Sequence, residues 1–111
     1  MEFDFINTQI YKDAKAYNKT IKQILKETKP DRILADQLKR AALSILLNFS
    51  EGYGRYHRAE KRHMYVTARA SVNECVACLD VLYDDGIPKT LLEQSETIAK
   101  MLSGLINKFK G

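Results

Sequence analysis

The chain has 111 residues, 45 % of them hydrophobic and 29 % charged, and a formal net charge of +4. That length makes one domain, residues 1–111, large enough to bury roughly 65 % of its unfolded surface. No apolar run approaches the ~20 residues of a membrane span, and the modest positive charge admits a polyanionic partner without demanding one.

The opening residues MEFDFINTQ are acidic and lack a basic-then-apolar pattern, so no secretory signal is expected. A first helix is expected from about Thr8 to Glu27, with Ile10, Ala14, Tyr17, Ile21 and Ile24 as its buried seam. Pro30 stops it, because proline disfavours helical geometry in the residue before it. Asp31 then caps a second helix that continues toward Glu51, where Gly52 and Gly54 supply a terminator. A third helix runs from about His57 to Tyr83, with Tyr65, Ala68, Val72, Cys75, Leu79 and Leu82 at steps of three and four. Pro88 suits the first turn of a fourth helix, whose seam is Leu91, Ile98, Leu102, Leu105 and Phe109. No stretch alternates with period two. The expected fold class is all-α, an antiparallel up-down four-helix bundle with short loops.

The second helix carries a polar ladder. Gln37, Arg40, Ser44, Asn48 and Glu51 share one face, while Leu38, Leu43, Ile45, Leu46, Leu47 and Phe49 surround it. A helix this apolar is normally enclosed, and each buried unpaired polar group costs about 1–3 kcal/mol. The ladder is therefore expected to be buried and answered by the third helix, with Arg40 pairing Glu74 and with Ser44 and Asn48 meeting Ser71 or Thr67. On that reading Arg40→Ala costs roughly 3–5 kcal/mol. A subunit interface and a ligand or catalytic site built on Arg40, Glu51 and Glu74 are the alternatives.

Two basic features stand out. Lys12, Lys15, Lys19, Lys22, Lys26 and Lys29 form a stripe along the first helix, interrupted only by Asp13 and Glu27. Such a stripe is either a solvated face or a track for phosphates. Arg55, Arg58, Lys61 and Arg62, interleaved with His57 and His63, sit at the turn into the third helix, where cations oppose the helix dipole. Asp80, Asp84, Asp85, Glu93 and Glu96 gather toward the other end, so the bundle is expected to be electrically polarised.

The run Gln37 to Arg55, with Arg40-Ala41-Ala42, Ser44-Ile45, Asn48 and Glu51-Gly52-Tyr53-Gly54-Arg55, resembles a four-helix bundle family encoded in intervening sequences of bacterial 23S ribosomal RNA genes. That family is related to the accessory variability determinant proteins of diversity-generating retroelements. Ala68-Arg69-Ala70-Ser71-Val72-Asn73-Glu74 and Met101-Leu102-Ser103-Gly104-Leu105-Ile106 extend the likeness, which covers nearly the whole chain from about Phe5. Leu46 stands where the family usually has proline, so a bend in the second helix is not expected, and Tyr11 stands where many relatives carry tryptophan. The resemblance implies assembly into a closed ring, often a homopentamer.

Catalytic and metal chemistry find little footing. Cys75 and Cys78 are the chain's two cysteines. They have zinc-like spacing but lie inside an apolar helical seam without a second pair, so they are expected to be core residues in a reducing cytoplasm. Gly52-Tyr53-Gly54 is too short for a phosphate loop and follows a helix. No cofactor and no enzymatic activity are expected. The leading expectation is a ring-forming bundle that binds nucleic acid, RNA foremost, through Arg55, Arg58, Lys61, Arg62, Lys12, Lys15, Lys19 and Lys22, with Tyr53 and Tyr56 as stacking partners. The alternative is an accessory module that docks a protein such as a reverse transcriptase.

Overall fold

The structure, a computed structural model, describes residues 2–110, so Met1 and Gly111 of the expected 1–111 domain lie outside the described residues. A single 3₁₀ turn over Asp4–Asn7 leads into four α-helices, α1 Gln9–Thr28, α2 Arg32–Gly54, α3 Arg58–Leu82 and α4 Lys89–Lys108. Among the described residues there is no strand. The molecule measures 41 × 26 × 23 Å, and its long dimension accommodates the 25-residue α3, a rod of about 37 Å.

Each helix begins and ends for a local reason. The Thr8 side chain accepts from the Tyr11 amide, and the Asp31 carboxylate accepts from the Leu34 amide, so both first turns satisfy a donor the helix itself leaves free. Lys29, at φ 47°, takes the left-handed conformation that closes α1. Pro88 stands at the N-cap of α4 rather than inside its first turn, and its carbonyl accepts from Leu92.

Of the two expected terminators, Gly52 lies inside α2 and Gly54 is its last residue. Gly52 is buried, and a Cβ there would lie 2.8 Å from the Tyr65 ring and 3.0 Å from Met64 Cβ. The glycine lets α3 approach α2 closely. These two helices share the largest interface in the molecule.

The core draws on all four helices. Tyr17, Leu38, Ile45, Leu79, Ile98 and Leu102 have essentially no exposure. The expected seams are largely the buried faces, except that Leu25 replaces Ile24 at the end of α1, and Leu82, Leu105 and Phe109 are only partly buried. Ser95 was not anticipated. It sits fully inside, bonding the Tyr17 hydroxyl at 2.8 Å and donating to the Leu91 carbonyl, so the most buried tyrosine in the core is answered by a second hydroxyl. Burial drives the Tyr17 phenol well above the usual tyrosine value.

Candidate nucleic-acid interface

The basic turn between α2 and α3 is occupied by the fold itself. Lys61 Nζ donates to the carbonyls of Tyr53, at 2.7 Å, and Gly52, at 3.3 Å, the last turn of α2. Arg58 donates to the Lys108 carbonyl at 2.6 Å, at the end of α4, and its guanidinium lies 5.0 Å from the Phe109 ring centre. Cations that oppose the dipole of α3 thus serve the negative ends of two neighbouring helices. Arg55 pairs with Glu51 and, at 3.4 Å, with Glu60; the Glu51 hydrogen bond raises its pKa above the usual arginine value. Burial lowers the Lys61 ammonium. Arg62 Nε is buried without a hydrogen-bond partner.

The lysine stripe is arranged differently. Lys12, Lys15, Lys19, Lys22 and Lys26 are exposed on α1, and no salt bridge among the described residues engages them. The two acids of the stripe are engaged elsewhere: Asp13 accepts from Gln9 and Glu27 from Gln23. Lys15, Lys19 and Lys22 form one wall of a groove of about 470 Å³ between α1 and α2, whose floor includes Ile21, Leu43 and Leu46. Lys39 of α2 joins them from the opposite wall. Sequence reasoning missed Lys39 because its partners lie on another helix. Asn18 ties the groove together, donating to the carbonyls of Ala14 and Ala42 at 2.9 and 2.8 Å. Arg55, Arg58, Lys61 and Arg62 line none of this groove.

The polar ladder departs from expectation. Arg40, Glu51 and Glu74 are exposed, and Arg40 touches no acid among the described residues. Gln37, also exposed, takes Glu74 instead, at 2.5 Å. Only the middle is sheltered: Ser44 and Ser71 bond at 2.8 Å, and Asn48 donates to the Ser44 hydroxyl and carbonyl. The reason is geometric. No fifth helix covers this side of α2, so its outer rungs meet solvent. Arg40→Ala is accordingly expected to shift stability by no more than about 0.5 kcal/mol, a value urea denaturation followed by circular dichroism reads directly.

That same uncovered side of α2 carries Ile33, Leu43 and Leu47, exposed by 83 %, 47 % and 53 %. Tyr56 is 90 % exposed and meets His57 edge-on, whereas Tyr53 leans on Phe49 and Phe5. Cys75 and Cys78 are buried in α3, and burial pushes the Cys75 thiol up to about 12. Among the described residues no three His, Cys, Asp or Glu side chains are placed to hold a metal, and no helix is long and apolar enough to cross a membrane.

Comparison with curated proteins and with solved structures returned no match. The sequence model of the 23S rRNA-intervening sequence protein family matches residues 7–105, and with that span of the bundle covered the chain belongs to this family.

Proposed function

We propose that the protein is a non-catalytic, cytoplasmic, oligomeric bundle that binds nucleic acid, RNA foremost, along the groove between α1 and α2. The carrying observation is that four lysines, Lys15, Lys19, Lys22 and Lys39, wall one groove that no acidic side chain lines. Lys12 and Lys26 extend the row, giving a basic track of about 21 Å at 1.5 Å per residue. Lysines on phosphates give affinity with little base reading, and the family's description as a 23S rRNA-intervening sequence protein agrees with an RNA partner. Arg55, Arg58, Lys61 and Arg62 add positive potential at one end, where exposed Tyr56 is available to an unpaired base. The pairings Gln37–Glu74 and Ser44–Ser71, with Gly52 against Tyr65, support antiparallel packing of α2 and α3.

The test is a titration of single-stranded RNA. Six engaged lysines give a slope of roughly −4 for log affinity against log salt. Reversing Lys15, Lys19, Lys22 and Lys39 to Glu weakens binding by at least about 100-fold with helicity retained. A flat salt dependence, or a reversed variant that binds as tightly, removes the reading.

The exposed apolar residues Ile33 and Leu47, which lie outside the groove, favour a second element of function, a contact on the open side of α2. We assign it to self-association into a ring. Docking of a partner such as a reverse transcriptase, in the manner of the retroelement accessory proteins, is the alternative use of the same face. Native mass spectrometry separates them, since a monomer leaves only the second.

A further inference from the structure

A cavity of about 750 Å³ opens at the end of α4 and lies apart from the lysine groove. Phe49, Tyr65, Met101, Leu105 and Phe109 give it an apolar and aromatic lining. Lys61 and Lys108 also line it. Arg58, Lys61 and Lys108 stand 5.0, 5.9 and 5.5 Å from the centre of the Phe109 ring. None of the three has an acid within salt-bridge distance among the described residues, so three like charges crowd one ring without a counterion.

Gly104 is an independent pointer. It sits in the interior of α4, where glycine is less stable than alanine because it surrenders more backbone freedom. At Gly52 a close neighbour demands glycine; at Gly104 a Cβ would meet nothing within 4 Å. Gly104 is exposed and is one of the residues that line the cavity.

We propose that this cavity binds a single-chain amphiphilic anion, its apolar chain among side chains of all four helices and its carboxylate among Lys61, Lys108 and Arg58. The volume falls in the range of small-molecule sites, whose lining is mostly apolar with a few convergent polar groups. An apolar chain fits better than a nucleobase. The Thr8 hydroxyl in the lining is already bonded to the Phe5 carbonyl and the Tyr11 amide, which leaves the Tyr53 and Tyr65 hydroxyls as the neutral side-chain polar groups of a mostly apolar lining. Burial already disfavours the Lys61 ammonium, and an arriving carboxylate restores a favourable field there. The inference does not depend on RNA binding, because none of the four groove lysines lines the cavity, although Arg58 and Lys61 contribute charge to both.

Calorimetric titration of the full chain with decanoate, kept below its micellar range, tests it. Decanoate is expected to bind, and decanol, of equal length without the charge, at least about tenfold more weakly. Gly104→Leu places four carbons in the cavity; displacing about two methylenes of the ligand weakens decanoate roughly tenfold. Lys108→Gln weakens decanoate and leaves decanol unchanged. Methyl NMR of the wild type, which needs no variant to fold, is expected to show the Met101 methyl shifting with decanoate while Met64, outside the cavity, stays still. Absence of decanoate binding, equal binding of decanol, or a stationary Met101 signal overturns the proposal.

Discussion

Phe49→Ala is expected to destabilise the protein by about 3–5 kcal/mol, the largest effect of any single truncation considered. Phe49 is 2 % exposed and packs its ring on Tyr65 at 5.9 Å, with planes 25° apart, and against Tyr53 at 6.1 Å. Its removal strips the ring contact between α2 and α3 and leaves Tyr65, which also touches Phe109 at 5.9 Å, unsupported on that side. The neighbouring space is already a cavity that Phe49 lines, so little surrounds the site that can collapse inward. The cost should therefore sit toward the upper end of the range. Urea unfolding followed at 222 nm measures it. Leu47→Ala, two residues away but half exposed, should cost no more than about 0.5 kcal/mol, and comparable losses for both would show that α2 is packed the other way round.

Gly52→Ala is expected to destabilise by about 1–2 kcal/mol, although alanine is the better helix former. Two opposing quantities decide this. Helix propensity favours alanine by about 1 kcal/mol. Against it, the new methyl would stand 2.8 Å from Tyr65 Cε1 and 3.0 Å from Met64 Cβ, a group held close to the backbone of α3. Forcing a methyl into such a contact costs typically 1–3 kcal/mol, and here two neighbours must move together. Gly54→Ala, two residues on with nothing within 4 Å, serves as the control and should be neutral or slightly stabilising. Opposite signs at two glycines in one helix turn would identify close helix approach as the cause. Equal signs would remove it.

The lysine groove and the basic turn show how the same residue type acquires different roles. Lys61 and Arg58 are drawn to carbonyls left bare at the ends of α2 and α4, so part of their charge is spent inside the fold. Lys15, Lys19, Lys22 and Lys39 face a groove where, among the described residues, no salt bridge engages their ammonium groups, and they remain available to phosphates. Affinity for a polyanion is accordingly expected to follow the groove lysines more steeply than the cluster at the turn.

Periodicity determined the four helices and most of the buried seams, and local residue chemistry the cap at Asp31, because these depend on residues within one or two turns of each other. The family signature was legible in the same way, as contiguous runs such as Arg40-Ala41-Ala42 and Glu51-Gly52-Tyr53-Gly54. Only the tertiary structure decided that Arg40 meets solvent, that Gln37 rather than Arg40 reaches Glu74, that Gly52 is a contact point rather than a stop, and that Lys39 completes the groove. The physical reason is common to all four. Whether a face is covered, and by what, depends on which helix lies against it, and four helices leave one side of α2 uncovered however apolar that helix is.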